Sequence, residues 1–226
     1  GARLMAAPRD RAATEERILA AVGTVLARDG FGAVGVNAIA REAGVDKVLI
    51  YRYFGGLPEL LQTWGASGRF WPSIDELLGP HPRLLLALPA AERLAAFFER
   101  FIDALRARPL TIEILAAETV QRNELTAILD SERQEWGNRA GRLLGGTAWR
   151  ERPHLQGVLL LWIAGVQYLL VRARTSRIIG GFDLHSDAGW QELKDSVHIS
   201  AQQLFAAAPV RRRRAPPRSA QGRRSP

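Results

Sequence analysis

Ala43-Gly44-Val45-Asp46 joins two short stretches of helical periodicity, and few folds accept such a join. Across residues 36–54, VNAIAREAGVDKVLIYRYF, the apolar residues Ile39, Ala43, Val45, Ile50 and Tyr53 fall where two crossing helices share a small core. Ala40 occupies the close approach, where a larger side chain would push the helices apart. Gly44 supplies the positive φ of a tight turn without a Cβ clash. Asp46 offers a carboxylate as N-cap to a second helix starting near Lys47. Together these residues spell a helix-turn-helix, the unit that lays its second helix in the major groove of DNA. An ordinary helical hairpin with a glycine turn is the plainer alternative.

Upstream, Thr14 followed by Glu15 and Glu16 predicts a helix start, with a hydroxyl N-cap and acids in the first turn. Before it, residues 6–13 carry Arg9 and Arg11 without apolar periodicity and read as an arm. Ile18, Leu19, Val22, Val25 and Leu26 recur at helical spacing until Gly30, with Phe31 placed to pack beneath. This first helix is the floor for a second over 36–43 and a third over 47–54. Gly55-Gly56 breaks the chain, and Leu57-Pro58-Glu59 restarts it with proline near the first turn. That fourth helix is interrupted by Gly65, Gly68 and Pro72, where it should bend or divide and where a signal could pass.

Residues 79–82 read as a loop, and helical periodicity resumes from Pro89. Helices are predicted over about 94–105, 110–120, 124–144 and 154–174. A loop rich in glycine and aspartate follows. The last helix spaces Trp190, Leu193, Val197, Ala201, Leu204 and Ala208 by three and four, a narrow packing stripe. No period-two pattern persists, so the predicted fold is all-α. It divides into a flexible arm (1–13), a three-helix helix-turn-helix DNA-binding domain (14–56), a larger helical ligand-binding and dimerisation domain (57–208) and a disordered arginine-rich tail (209–226).

The net charge of +8 belongs to one end of the chain. The last 18 residues hold seven arginines and no acid, and without them 24 basic residues face 23 acidic ones. The tail reads as a solubilising end or as a non-specific DNA clamp. Between residues 14 and 57, Arg17, Arg28, Arg41, Lys47 and Arg52 are balanced by Glu15, Glu16, Asp29, Glu42 and Asp46. DNA contact there must depend on where those few cations point.

The absence of cysteine excludes a disulfide framework, a thiolate zinc site and a cysteine nucleophile. His81, His154, His185 and His198 show no metal-ligand spacing. There is no nucleophile elbow and no glycine-rich phosphate loop leaving a strand. An enzyme is therefore not expected, nor a metal or cofactor. The longest apolar run, 158–166, is far short of the ~20 residues that span a bilayer, and no leader precedes the first helix. The expected location is the cytoplasm, with no membrane partner.

With the first three helices placed, residues 14–61 resemble the N-terminal domain of the TetR family of transcriptional regulators. The shared features are the 18–26 helix, Gly30-Phe31, Ile39-Ala40, Ala43-Gly44-Val45, Tyr51-Arg52-Tyr53-Phe54 and the Glu59-Leu60 restart. The remaining helices match the family in number, length and order. The resemblance implies a homodimer whose last two helices pair into a four-helix bundle. It also implies an inducer pocket in the larger domain, with ligand binding that separates the recognition helices and releases a double-stranded operator. Three positions depart from the family: Gly35 stands where threonine is usual, Val48-Leu49 where a small residue and threonine are usual, and Leu57 where lysine is frequent.

Lys47 opens the recognition helix, where a cation reaches a phosphate or a guanine edge, and Tyr51 lies one turn on. The resemblance makes Tyr51 and Tyr53 phosphate-contacting phenols, with core packing the other reading of Tyr53. Val48 and Leu49 can pack on thymine methyls, or one of them can pack against the first helix. Asn37 and Arg41 are candidate backbone contacts, and Arg52 is either a contact or a solvated surface residue. In the larger domain, Trp64, Phe70, Trp71, Phe97, Phe98, Phe101, Trp136, Trp162 and Tyr168 are core or ligand cage. The expected pocket is aromatic, drawing on Trp64, Phe98, Phe101 and Trp162, with Glu113, Glu118 or Gln167 as polar anchors. Its expected ligand is a small apolar or aromatic inducer, with a lipophilic cation the alternative. The whole reads as a ligand-responsive repressor. A helical dimeric ligand carrier or partner-binding protein, keeping the fold without sequence-specific DNA binding, is the second reading, sustained by Val48-Leu49 and Leu57.

Overall fold

The computed structural model describes residues 8–120, 124–146 and 153–206. The described residues form eleven helices, a short 3-10 turn and one small hairpin. Helix α1 spans Pro8–Asp29, α2 Val36–Ala43 and α3 Lys47–Phe54, the last two with the predicted bounds. The caps explain why. Gly44 ends α2 at φ 63°, its N–H donating to the carbonyls of Ala40 and Arg41. Asp46 then accepts from the Val48 N–H at 2.8 Å and starts α3. Ile18, Val22, Leu26, Phe31, Ile39 and Ile50 are fully or nearly buried together, each contributing about 1.5–3 kcal/mol of apolar burial. Val45 and Tyr53 pack at the edge of this core, half-buried.

Helix α1 begins at Pro8, so Thr14 is not its N-cap and residues 8–13 are not an arm. Thr14 Oγ1 donates back to the Asp10 carbonyl at 2.7 Å, as helix-interior hydroxyls do. Asp10 lies in the first turn, and Arg11 Nε donates to Glu15 at 2.7 Å one turn away. Residues 1–7 and the arginine tail lie outside the described residues, as does Ala208.

The interrupted fourth helix divides. Helix α4 covers Leu57–Ala66 and α5 Ile74–Leu78, separated by a turn with Gly68 at φ 73° and by Ser73, which caps α5 through the Glu76 N–H. Thr111, fully buried, donates to the Phe70 carbonyl at 2.6 Å and fixes that turn to the body. A further short helix, α6 (Pro82–Ala87), follows the turn at residues 79–82. Then come α7 (Ala90–Arg106), α8 (Pro109–Glu118), α9 (Glu124–Gly145), α10 (Pro153–Ala173) and α11 (Asp187–Ala206). Arginines close two helix C-termini: Arg93 donates to Leu144 O of α9, and Arg100 to Leu77 O and Leu78 O of α5.

The apolar cluster runs without a break from α1–α3 through Leu60, Leu61 and Trp64 of α4 into the larger domain. At Gly23 of α1, a Cβ would lie 2.7 Å from Leu110 of α8 and 3.5 Å from the Trp64 ring. The three-helix unit is therefore seated tightly on the body. The apolar stripe of α11 is spent inside the chain: Trp190 and Ala201 are buried, with Leu193, Val197 and Leu204 half-buried against the core on the side of α7. Helix α10 is different. By length and composition His154–Ala173 suffices to cross a membrane, beyond what the 158–166 run alone suggested, yet only 22% of it is buried.

One departure from an all-α chain is a hairpin of two-residue strands, β1 (Ile178–Ile179) and β2 (Phe182–Asp183), turned by Gly180 and Gly181 at φ 59° and 91°. It is too short to show a period. Its neighbour Gly189, in the first turns of α11, sits where a Cβ would fall 2.1 Å from the Asp183 carbonyl oxygen. Gly189→Ala is expected to destabilise the fold by about 1–3 kcal/mol, since backbone must move to admit the methyl group. The melting temperature should fall by roughly 2–4 °C per kcal/mol lost. An unchanged melting curve would show that hairpin and helix separate freely.

Candidate nucleic-acid interface and ligand cavity

Cap geometry sets which side of α3 faces outward. Ile50 is turned fully into the core and Leu49 is half-buried against it, leaving Lys47, Val48 and Tyr51 on the open side. Val48 is 57% exposed and Tyr51 54%. Of the Val48-Leu49 pair, therefore, Val48 is the residue available to a thymine methyl and Leu49 is a packing residue. Lys47 makes no ion pair or hydrogen bond with the described residues. Asn37 and Arg41 of α2 are exposed beside it.

Tyr53 serves both readings. Its ring packs on the core edge, while the guanidinium groups of Arg11 and Arg52 each lie 5.0 Å from the ring centroid. Arg52 also donates to the phenol oxygen at 3.1 Å. Two cations and a phenol thus meet at one edge of the unit, a group suited to a phosphate. Arg11 belongs to this group because α1 extends back to Pro8; the i,i+4 Arg11–Glu15 pair was the sequence signal for that. Arg11 is at the same time paired with Glu15 at 2.7 Å. Arg28 bridges Asp29 at 2.8 Å and Glu42 at 2.7 Å, tying the end of α1 to α2. The hydrogen bonds from Arg28 hold the Asp29 carboxyl below its usual range. Leu57, at the frequent lysine position, is half-buried against the core.

In the larger domain the expected aromatic residues part company. Trp64 is buried under Phe70, ring centroids 5.5 Å apart, and serves as the joint between α1, α4 and α8, outside the cavities. Trp162 stacks edge-on to Phe98 at 5.5 Å and also stays outside them. Phe98 and Phe101 line a space of only 50 Å³ with Phe97 and Trp136. Glu113 is paired in two hydrogen bonds with Arg174 and is not a free anchor. Trp64 and Trp162 are thus engaged with other rings, and Glu113 with Arg174.

Larger spaces lie on either side of α9. One of 290 Å³ sits between the α4–α5 turn and α9, lined by Phe70, Trp71, Pro72, Arg133 and Trp136 among others. A groove of 490 Å³ between α9 and α10 shares Trp71, Arg133 and Trp136 with it and adds Gln156 and Gln167. A third, of 390 Å³, holds Glu118, Gln167 and Tyr168. Glu118 and Gln167 are therefore among the residues that line cavities. Glu118 is not a bare charge, however: Arg133 bridges it at 2.9 Å and also pairs with Asp130. Arg133 lies over the Phe70 and Trp71 rings at 5.4 and 5.8 Å. The lone carboxylate that a lipophilic cation needs is not found at Glu113 or Glu118. Sequence reasoning did not single out Arg133, since apart from Asp130 one turn away its partners, Glu118 and the Phe70 and Trp71 rings, come from elsewhere in the fold.

The first cavity reaches the DNA-binding unit through α4. Gly65 and Ala66 line it at the end of α4, and a Cβ at Gly65 would touch Leu129 and Glu132 of α9 at 3.4 and 3.5 Å. Helix α4 also packs against α3 and α1.

Comparison with known proteins agrees with this arrangement. Residues 18–62 match the family model of bacterial regulatory proteins of the tetR family. An HTH-type transcriptional repressor of Streptomyces coelicolor is 27% identical over 205 residues, covering 88% of this chain and 98% of the relative. Among solved structures, the fatty acid degradation regulator FadR of Bacillus halodurans aligns with TM-score 0.58 at 20% identity, over 82% of this chain and 96% of its own. A TetR-like regulator of Rhodococcus sp. RHA1 aligns with TM-score 0.56 at 20% identity, over 87% and 98%. FadR of Bacillus subtilis, in complex with stearoyl-CoA, aligns with TM-score 0.57 at 17% identity, over 82% and 96%.

Proposed function

We propose that this chain, which belongs to the TetR family of bacterial transcriptional regulators, is a cytoplasmic repressor released from a palindromic operator by a small apolar or aromatic inducer. The observation that carries the reading is the open face of α3, where Lys47, Val48 and Tyr51 stand exposed on a helix whose start and end are both capped. Exposed together on one short helix face, they offer a cation, a methyl-bearing side chain and a phenol to a groove. Lys47, Val48 and Tyr51 read the groove; Asn37, Arg41, Arg52 and Tyr53, with Arg11, hold phosphates. No step of the mechanism calls for catalysis.

The repressor is a homodimer, with the exposed apolar side of α10 as the main seam and the Ile199 side of α11 beside it. Its two recognition helices then address half-sites about 34–36 Å apart or slightly more. An inducer entering the 290 Å³ cavity presses on the end of α4, and α4 carries the displacement to α3. That a structural neighbour is known with stearoyl-CoA supports ligand response in this fold.

A gel shift with the DNA upstream of the protein's own gene tests the reading. Salt-sensitive, sequence-dependent retardation is expected, with a slope set by the phosphates neutralised. Binding that ignores sequence, or none, would favour a helical dimeric carrier, which the pairing of Arg28 with two acids and the burial of Leu57 would suit.

A further inference from the structure

Glu113 and Glu118 are each paired with an arginine, and Glu132 is not. Glu132 is half-buried on α9 and lines the 290 Å³ cavity, with no ion pair or hydrogen bond among the described residues. Its carboxylate oxygens keep accessible surface, unlike the indole nitrogens of Trp71 and Trp136 nearby. The stem of Glu132 lies beside the end of α4, where a Cβ at Gly65 would come 3.5 Å from it. Trp136 follows one turn on along the same face of α9 and lines the same cavity. A carboxylate drawn partly out of water interacts more strongly with a cation than one in bulk solvent does.

Building on the ligand-responsive reading, we propose that the 290 Å³ cavity takes a flat aromatic cation whose charge is met by the Glu132 carboxylate. The local charge favours this sign. Around the cavity, Asp75, Glu132 and the Glu118 and Asp130 that share Arg133 face only Arg133 and Arg139, four carboxylates against two guanidinium groups. An anion would have to compete with two acids for Arg133 and would leave Glu132 opposed to it. The walls favour the same guest. Phe70 and Trp71 already carry a planar cation, the Arg133 guanidinium, 5.4 and 5.8 Å from their ring centroids. Phe70, Trp71, Pro72 and Trp136 are rigid and planar, which suits a ring system. A volume of 290 Å³ lies at the lower edge of the ~300–1,000 Å³ usual for ligand pockets, so about two fused rings fit better than a long chain. Because Glu132 abuts the end of α4, a cation drawn to it acts next to the helix that packs on α3.

Four probes separate the possibilities, each titrated calorimetrically into the full chain: 1-methylquinolinium, its uncharged isostere 1-methylnaphthalene, the anion 1-naphthoate, and tetraethylammonium, which carries the charge without the ring. The quinolinium is expected to bind about tenfold more tightly than each of the others. Glu132→Gln keeps the shape of the side chain and removes its charge. It should weaken the quinolinium roughly tenfold and leave the hydrocarbon unchanged. Should that variant fold poorly, the wild-type protein still decides, since affinity for the quinolinium should fall as salt is raised while that for the hydrocarbon does not. Equal binding of quinolinium and hydrocarbon overturns the proposal, as does tightest binding of naphthoate or tetraethylammonium, or no binding of any probe. A folded Glu132→Gln protein that keeps its preference for the quinolinium overturns it too. If the hydrocarbon or the anion binds best and releases DNA, induction survives and this assignment falls. If the quinolinium binds through Glu132 but leaves the DNA complex intact, the cation site stands and induction falls.

Discussion

Lys47→Ala combined with Tyr51→Ala is expected to weaken operator binding by about two orders of magnitude while leaving the fold intact. Both side chains project from the open face of α3, one turn apart, and neither is part of the buried core. Removing them costs the fold little, since exposed substitutions generally stay within about 0.5 kcal/mol. A base-edge contact is worth about 1–3 kcal/mol of discrimination, so two such contacts, or one with a phosphate, give a loss of this size. The single variants assign the roles. If Lys47 grips a phosphate, Lys47→Ala lowers the salt slope by about one and weakens all sequences alike. If it reads a guanine, the slope holds and specificity relaxes at one position. Val48→Ser supplies a third arm, expected to weaken sites that carry thymine beneath it. Unchanged affinity in the double variant would refute the interface.

The helix-turn-helix was legible because its determinants are local. Gly44 and Asp46 cap the helices they adjoin, so the bounds of α2 and α3 follow from residues within a few positions. The first turns of α1 were not, because residues 10–13 are exposed: no apolar period marks residues 8–13, and only Pro8, Asp10 and the Arg11–Glu15 spacing signal a helix. The ligand region was legible as a list of aromatics but not as a site. Trp64 and Trp136 look alike in sequence, yet one is the joint under α1 and the other edges a cavity with an unpaired N–H. What separates Glu113 from Glu118 is likewise tertiary. One meets Arg174 far along the chain, and the other meets Arg133, which also lies over two rings of the α4–α5 turn. Such partners are set by how helices cross, which no window of sequence contains.

Leu160→Glu with Leu161→Glu is expected to turn the proposed dimer into a monomer and to remove specific DNA binding with it. Leu160 is 67% and Leu161 71% exposed on α10, in a helix otherwise apolar enough to cross a membrane. Exposed Tyr168 and the small residues Gly157, Ala164 and Gly165 extend the same uncovered surface. A patch of this kind marks an interaction site, and a second copy is the partner that a two-fold operator reader requires. In an isologous seam every side chain counts twice. Burial worth about 1.5–3 kcal/mol per leucine therefore puts roughly 6–12 kcal/mol at stake from two positions, and introduced carboxylates repel across the axis. The dissociation constant should rise at least ~1,000-fold, enough to give monomer at micromolar concentration in light scattering. The helical circular dichroism should persist, because neither side chain belongs to the monomer core. DNA binding fails for a separate reason: two linked half-site contacts gain about 10²–10⁴ over one, and the monomer forfeits that gain. A variant that stays dimeric would move the seam elsewhere. One that becomes monomeric yet keeps its operator affinity would show that a single α3 suffices, and the palindromic reading would fall with it.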